Sequence, residues 1–586
     1  MSGFAALFSG NMPTEISLSP EHRIAGVLIP VFALRSAEDQ GIGDTGSLRQ
    51  FIRWAAGAGF ALVQLLPINE TGGDNSPYNA ISSMALDPTT LELTPTSLED
   101  LSEEDYRATL RTVDLSGLAE GPVQYAVVKP LKRQLLRRAY ESFRRLHIET
   151  NSARFQVFEA FLQKNAAWLH PYSVFRALMD ENGGTECWDR WPQPQQSAAK
   201  AYVWVQGLPE DRREAFAGLT EFYSYVQWIA YTQWEATKHF AQEHGVALMG
   251  DIPLGVSYYS ADYFGNPEIF EPGWSGGAPP EPYFKDDPFT QKWGQNWGIP
   301  VYDWAEMRKD DFAWWRQRVG GVRDLFHVFR IDHILGFYRI YSFPWRPEKN
   351  DEFLPLSPDE ARARTGGRLP QFKPRADDTP EDRAANCRDG ERLLRMVLEA
   401  AGDTRLIGED LGTVPEYVRP NLTALGIAGF KIPIWEPDRQ TGGLLSGDGY
   451  ARLSLATYGT HDHEPLRALW ARWHGDPQEG HHELRRLGHF ANLPEFEKPS
   501  AFDERIHQHL LRALFRSNSW IAVCMITDLL AREERFNVPG TAANSNWSQR
   551  MHLTVETLAD DPAHRTRTEA LRALLQEAGR QVPALP

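Results

Sequence analysis

The chain has 586 residues, of which 42% are hydrophobic and 24% are charged, which is ordinary usage for a globular protein. The formal net charge of −17 excludes nucleic acid as the main partner, because an acidic surface repels phosphate backbones. No apolar run approaches the roughly 18 residues that span a bilayer, which excludes a membrane protein. The three cysteines are widely spaced, and the first twenty residues contain no Lys or Arg, so we expect neither a disulfide framework nor a secretory leader. These features predict a cytoplasmic location and leave the oligomeric state open.

Eight short apolar runs are bounded by turn residues, and many of them are separated by helical patterns. Such runs are typical of parallel strands that are buried on both faces. They lie at residues 26–32, 61–66, 246–251, 328–332, 405–409, 429–434, 453–458 and 520–527. Eight β/α repeats predict an α/β protein with a (β/α)8 TIM barrel. An open doubly wound sheet is the alternative, because periodicity does not separate the two folds.

Two long segments interrupt this repeat. Residues 85–225 are rich in helix formers and predict a large helical insertion between the second and third strands. Residues 345–390 are charged and rich in proline and predict an insertion loop, and a loop of that length is usually functional. After the seventh strand too few residues follow for a C-terminal β-sandwich domain, so residues 1–586 are interpreted as a single barrel unit.

Acidic residues end several of the predicted strands. Asp251, Asp332 and Glu409 close the third, fourth and fifth strands, and Asp462 follows the seventh. The carboxyl ends of barrel strands form the active face, so these carboxylates are expected to converge on one pocket.

A retaining glycosidase needs a carboxylate nucleophile and a carboxylic acid roughly 5–5.5 Å apart, with their pKa values pushed apart. Arg330 lies two residues before Asp332, and residues i and i+2 of a strand point to the same side. Arg330 is therefore expected to hold Asp332 ionised, which makes Asp332 the best candidate for the nucleophile. Glu409 is the candidate acid/base, and Asp462 beside His461 is a candidate for binding sugar hydroxyls.

Three other site types have partial signals. Gly41, Gly43 and Gly46 form a dinucleotide-type G-x-G-x-x-G pattern, but about eight residues separate it from the preceding strand, which favours a structural turn. The segment from His461 to His463 lacks diagnostic metal spacing. Ser76 and Ser257 do not lie in a G-x-S-x-G elbow, so turn and hydroxyl contacts are the expected roles.

A series of short motifs carries a family resemblance. In chain order they are GIGDTG at 41–46, LLPIN at 65–69, SPYN at 76–79, GDIPLGV at 250–256, GQNWG at 294–298, FRIDHILGFYRI at 329–340, IGEDLG at 407–412, GTHD at 459–462 and NVPGT at 537–541. Over about residues 26–550 the chain resembles the amylomaltases, the 4-α-glucanotransferases of glycoside hydrolase family 77. The HILGF run resembles the plant cytosolic disproportionating enzymes of that family.

The resemblance implies that Asp332 is the nucleophile, Glu409 the general acid/base and Asp462 the transition-state stabiliser. It further implies that seven residues contact the glucan, namely Tyr78, Asp251, Gln295, Trp297, Arg330, His333 and His461. The implied reaction transfers segments of α-1,4-glucan, from maltooligosaccharides, maltodextrin, glycogen or starch-derived glucans, to the 4-hydroxyl of an acceptor glucan or glucose with retention. It uses no metal and no cofactor.

Two rival functions stay open at this point. The first is an α-amylase-type retaining hydrolase, and the second is a catalytically inactive glucan-binding protein. Transfer requires aromatic acceptor sites that hold sugar and exclude water. The candidates for these sites are Trp297, Tyr258, Tyr259 and Trp274. The segment 273–292 is longer than the corresponding loop of the family, so the resemblance implies no acceptor contacts there.

Overall fold

A computed structural model describes residues 17–280, 287–438, 440–494, 500–541 and 545–584. Within these ranges twelve strands form two sheets. The strands are β1 (Ile24–Leu28), β2 (Leu62–Gln64), β3 (Ala247–Ile252), β4 (Phe270–Ala278), β5 (Gln295–Tyr302), β6 (Val328–Ile331), β7 (Ile340–Phe343), β8 (Gln371–Lys373), β9 (Arg405–Gly408), β10 (Gly429–Lys431), β11 (Ser454–Ala456) and β12 (Ile521–Met525).

The larger sheet has eight parallel strands in the order β10-β11-β12-β1-β2-β3-β6-β9. A parallel bridge between Ile407 and Ala428 joins its two edges, so the sheet closes into a barrel. All eight predicted strands and the TIM-barrel fold are confirmed. The bounds differ most in the first strand, which ends at Leu28 because the chain then passes Pro30 into a short 3-10 turn.

The smaller sheet is antiparallel, in the order β5-β4-β7-β8, and it was not predicted from the sequence. Its strands contain several Gly and Pro residues, which hide the period-two alternation expected of a half-buried strand. The segment 273–292, predicted as a long loop, lies partly outside the described residues. Its described parts belong to β4 and to the helix Pro288–Trp293.

Helices surround the barrel and fill the insertion between β2 and β3. The longer ones are Thr45–Ala58, Glu103–Leu110, Tyr125–Phe143, Ala153–Glu181, Ala198–Gln206, Glu210–Glu243, Ala313–Leu325, Pro380–Ala401, Leu466–His474, Glu479–Phe490, Glu504–Arg516 and Pro562–Glu577. The shorter ones are Ser116–Ala119, Ala261–Gly265, Pro288–Trp293, Trp304–Met307, Asn350–Phe353, Pro358–Arg364, Val418–Ala424, Ile526–Leu529 and Val555–Asp560. None of the helices that the structure describes is long and apolar enough to cross a membrane.

The segment 345–390 is not an irregular loop. It contains the helices Asn350–Phe353 and Pro358–Arg364, strand β8 and the first turns of the helix Pro380–Ala401. Two of the prolines that suggested a loop, Pro358 and Pro380, lie at helix starts, where a missing backbone N–H is tolerated. After β12, the described residues form helices and connecting segments rather than a β-sandwich.

The glycine-rich segment at 41–46 is a structural turn. Asp44 caps the helix Thr45–Ala58 by accepting a hydrogen bond from the Ser47 backbone N–H at 3.0 Å. A Cβ atom at Gly43 would lie 1.9 Å from the carbonyl oxygen of Val31, so only glycine fits there. Chain packing explains this motif, and a phosphate-binding role is not needed.

Candidate active site

The site lies at the carboxyl ends of the barrel strands. Asp251 lies near the end of β3, Arg330 lies on β6, and Asp332 follows β6 directly. Glu409 follows β9, and its backbone N–H donates to the Ile331 carbonyl at 3.0 Å. Parallel pairing therefore places residues that are 79 positions apart in the sequence, such as Asp251 and Arg330, side by side.

Arg330 is the centre of the charged network. Its side chain is buried, and its two terminal nitrogens face three carboxylates. Nη1 donates to Asp251 Oδ2 at 2.5 Å, and Nη2 donates to Asp332 Oδ1 at 2.7 Å. Nη2 also lies 3.4 Å from Glu409 Oε2. The three carboxylates raise the pKa of Arg330, despite the opposing effect of burial, so Arg330 is a permanent cation.

The shared nitrogen of Arg330 limits the distance between the two central carboxylates. Because Nη2 is 2.7 Å from Asp332 and 3.4 Å from Glu409, the two oxygens it contacts lie no more than about 6 Å apart. An inverting pair of carboxyl groups needs roughly 6.5–9.5 Å to admit a water molecule, and a retaining pair needs roughly 5–5.5 Å. The geometry therefore fits retention.

Glu409 has the environment of a general acid. Burial and the charge of Asp332 together raise the pKa of Glu409 to about 7, against the opposing effect of Arg330. The backbone N–H of His333 donates to Glu409 Oε2 at 2.7 Å and fixes the carboxyl group. His333 is in the left-handed backbone region, with φ of 46°, which turns its N–H toward Glu409. Burial lowers the pKa of the His333 side chain to about 4, so its ring is neutral.

Asp462 is held in its ionised form. His461 Nε2 lies 3.2 Å from Asp462 Oδ1, and Asn537 Nδ2 donates to the same oxygen at 2.6 Å. Burial alone would raise the pKa of Asp462, but His461 and Asn537 outweigh it and hold the pKa below its usual range. Arg535 donates to the Asp462 backbone carbonyl at 2.6 Å and fixes the loop.

Tyr78 connects the two sides of the site. Its hydroxyl donates to Asp251 Oδ2 at 2.7 Å and lies 3.2 Å from His461 Nδ1. The rings of Tyr78 and His461 are stacked, with centroids 4.7 Å apart. Trp547 contacts both rings, so Tyr78 and His461 form one rigid wall beside Asp251.

The smaller sheet supplies the opposite wall. Trp297 on β5 is 39% exposed, and its ring meets His333 edge-on with centroids 4.9 Å apart. Its Nε1 donates to Gln295 Oε1 at 3.1 Å. A cavity of about 230 Å³ lies between Gln295, Trp297, His333, Tyr341 and Glu409. The structure thus brings all ten predicted site residues into one cluster.

Three of the four aromatic acceptor candidates have other contacts. Arg346 lies 3.7 Å from the ring centre of Tyr258 and donates to the Tyr259 hydroxyl at 2.7 Å. The Lys373 ammonium lies 4.4 Å from the ring centre of Trp274. Cations thus contact these three rings, whereas Trp297 presents its ring beside the catalytic carboxylates.

Trp435 and Asn537 lie at the site but were not predicted from the sequence. Trp435, on the segment after β10, is 49% exposed and meets His463 edge-on with ring centroids 5.0 Å apart. Trp435 directly follows the predicted strand 429–434. A Trp at the end of a barrel strand is a signal of a binding surface, because its large ring is suited to contact a ligand. Asn537 begins the NVPGT motif, but it lies 75 positions after Asp462, and no local pattern predicts the hydrogen bond between them. The serines at 76 and 257 each accept a backbone N–H two residues later, as expected for turns.

Comparison with known proteins decides the family. The sequence model of glycoside hydrolase family 77, described as 4-alpha-glucanotransferase, matches residues 29–554. The chain belongs to this family. Family membership confirms the predicted class of enzyme and favours glucan transfer over α-amylase-type hydrolysis.

Individual relatives in the family match along nearly the whole chain. The 4-alpha-glucanotransferase of Chlamydia pneumoniae is 32% identical over 556 residues, which cover 93% of this chain and 94% of that protein. The 4-alpha-glucanotransferase of Thermus thermophilus is 28% identical and covers 87% of this chain and 91% of that protein. Among solved structures, amylomaltase from Streptococcus agalactiae in complex with acarbose has a TM-score of 0.72 at 23% identity, with 95% of this chain and 100% of that chain covered. This last likeness shows that the fold is shared.

Proposed function

We propose that the chain transfers segments of α-1,4-glucan to the 4-hydroxyl of an acceptor glucan or glucose by double displacement with retention. The observation that carries this proposal is the bridging of Asp332 and Glu409 by one nitrogen of Arg330. The substrates are maltooligosaccharides, maltodextrin and glucans derived from glycogen or starch. The two carboxyl groups supply the chemistry, so we expect no need for a metal or cofactor.

In the first displacement, Asp332 Oδ attacks the anomeric carbon of the donor glucan. Protonated Glu409 gives its proton to the glycosidic oxygen, and the glucan on that side leaves with this proton. The bond between the anomeric carbon and the glycosidic oxygen breaks, and a bond to Asp332 forms. Asp462, held ionised by His461 and Asn537, is placed to stabilise positive charge on the sugar in the transition state.

In the second displacement, the 4-hydroxyl of an acceptor glucan enters where the leaving glucan was. Glu409, now ionised, takes the hydroxyl proton, and the acceptor oxygen attacks the anomeric carbon and releases Asp332. Water at the same place would give hydrolysis. Trp297 and Gln295 line the cavity beside Glu409, so this cavity is where the acceptor is held and water is excluded.

The pH dependence of the first displacement follows from Glu409. Its pKa of about 7 means that the acid form is lost as the pH rises through 7. We expect kcat/KM for maltotriose to fall about tenfold per pH unit above that value, because the fraction of enzyme with protonated Glu409 falls about tenfold with each pH unit. Steady-state rates between pH 5 and about 9 measure this decrease of kcat/KM. A rate that stays constant up to about pH 9 would contradict the role of Glu409 as the acid.

Trp297 is expected to act in binding rather than in chemistry. We expect Trp297→Ala to raise KM for maltotriose about tenfold with a smaller change in kcat, because the apolar area that stacks on a sugar ring is lost. The matched variant Trp297→Phe retains a flat ring and should recover most of the affinity. Kinetics of the Ala variant that equal those of the wild type would place Trp297 outside the glucan path.

The proposed function is tested by incubating the enzyme with maltotriose and separating the products by size. Transfer gives glucose together with a ladder of longer maltooligosaccharides, because each glycosyl group passes to another sugar. Hydrolysis gives only glucose and maltose. The ladder is the expected result, and glucose and maltose alone would instead support the amylase-type reaction.

We propose that the barrel, the helical insertion at 85–225 and the segment 345–390 work as one catalytic unit. A buried contact supports this: the ammonium of Lys132 in the insertion lies 3.6 Å from Asp44, which caps a barrel helix. Strand β8 of the later segment extends the sheet that carries Trp297.

We also propose a cytoplasmic location. Cys187, Cys387 and Cys524 are all unpaired, which suits a reducing compartment. The strongly acidic surface favours neutral substrates in solution over polyanions.

A further inference from the structure

A second cavity lies in the helical insertion. Its volume is about 600 Å³, within the range of small-molecule sites. The helices Tyr125–Phe143, Ala153–Glu181 and Glu210–Glu243 and the loop at 70–73 enclose it. None of the ten predicted active-site residues lines this cavity, so it is separate from the site at Asp332.

A row of cations forms one wall of this cavity. Lys129, Arg133 and Arg137 are spaced four residues apart on the helix Tyr125–Phe143, so they share one face. Arg133 pairs with Asp180. Lys129 donates only to backbone carbonyls, at 2.8 Å for Gly72, and has no carboxylate partner in the described part of the chain.

Arg137 is the most unusual of these cations. Its guanidinium carbon lies over the ring of Phe222, 3.6 Å from the ring centre. No described residue forms an ion pair with Arg137 or accepts a hydrogen bond from it. Burial lowers the pKa of Arg137, so its charge is partly desolvated. A stacked guanidinium keeps its N–H groups free at the edge, in the planar geometry that matches a phosphate.

Carboxylates also line this cavity. Glu186 accepts a hydrogen bond from the Gly73 backbone N–H at 3.0 Å and has no cation partner among the residues described. Asp180 accepts from the Tyr223 hydroxyl at 2.7 Å besides pairing with Arg133. Carboxylates accept hydrogen bonds from sugar hydroxyls, whereas they repel a bare anion. The cavity therefore offers both a cation without a carboxylate partner, Arg137, and carboxylate acceptors for hydroxyl groups.

We propose that this cavity binds a hexose monophosphate, with the phosphate against Arg133 and Arg137 and the sugar hydroxyls toward Glu186. A neutral glucan would leave the charge of Arg137 without a partner. Inorganic phosphate has no sugar hydroxyls to donate hydrogen bonds to Glu186. This binding is independent of the transfer reaction and does not rest on it.

The test is calorimetric titration of the full chain with glucose 6-phosphate, inorganic phosphate and glucose. Glucose 6-phosphate should bind more tightly than the other two. Arg137→Gln should weaken that binding about tenfold or more, because a charge-assisted hydrogen bond is lost. The matched control is Arg138→Gln, since Arg138 is the next residue on the helix, is exposed and pairs outward with Glu141. It should leave the binding unchanged.

Four results would overturn the proposal. The first is the absence of binding by glucose 6-phosphate. The second is equal weakening by Arg138→Gln, which would indicate a general effect of charge. The third is equally tight binding of inorganic phosphate, and the fourth is competition by maltotriose, which would place the ligand at the active site. Disproportionation of maltotriose by Arg137→Gln should equal that of the wild type, which shows that the variant is folded and that its glucan site is intact.

Discussion

Asp332→Asn is expected to abolish turnover of maltotriose while leaving the fold intact. Without a carboxylate that can form the glycosyl–enzyme bond, the double displacement has no first step. We expect kcat/KM to fall by about four orders of magnitude or more, as when other covalent nucleophiles are removed. Steady-state rates measured from the glucose released give this value.

The fold of this variant is checked by circular dichroism and by its thermal midpoint. Asp332 is partly exposed, and Arg330 keeps Asp251 and Glu409 as partners, so the stability should change little. Asp303→Asn is the matched control, because Asp303 caps a helix outside the site and Asn caps equally well. Activity of Asp332→Asn within about tenfold of the wild type would remove Asp332 as the nucleophile.

Glu409→Gln is expected to lose activity in a way that depends on the leaving group. With maltotriose we expect a loss of about a thousandfold, because the glycosidic oxygen must be protonated as it leaves. With α-maltosyl fluoride the first displacement should remain fast, because fluoride leaves without a proton. A rapid burst of fluoride followed by slow turnover is the expected time course.

The nucleophile and acid variants are thereby distinguished. Asp332→Asn should show no burst with the fluoride, whereas Glu409→Gln should show one. Glu416→Gln changes an exposed carboxylate on the same segment and should behave as the wild type. If Glu409→Gln lost activity equally on maltotriose and on the fluoride, Glu409 would not be the general acid.

The barrel and its carboxylates were predictable from the sequence because their signals are local. The strands of the large sheet are continuous apolar runs, and a carboxylate at the end of such a run is placed on the active face by the fold itself. The spacing of Arg330 and Asp332 likewise predicted their contact, which the structure places at 2.7 Å.

The smaller sheet and several contacts of the site were not predictable in this way. Strand β5 reads QNWGIPVY, where Gly and Pro disrupt alternation, and it is held by pairing with β4 rather than by its own propensity. The pKa of Glu409 depends on burial and on the turned backbone of His333, which no sequence spacing encodes. The hydrogen bond from Asn537 to Asp462 depends on the closure of the barrel, which brings these two distant segments together.

The most direct test of this account is to identify the residue that carries the covalent intermediate. Glu409→Gln is incubated with α-maltosyl fluoride, digested at low pH and examined by mass spectrometry. The account predicts one added maltosyl group on the peptide that contains Asp332. A maltosyl group on the peptide of Asp462 or Asp251, or a β-configured maltose product without any adduct, would contradict it.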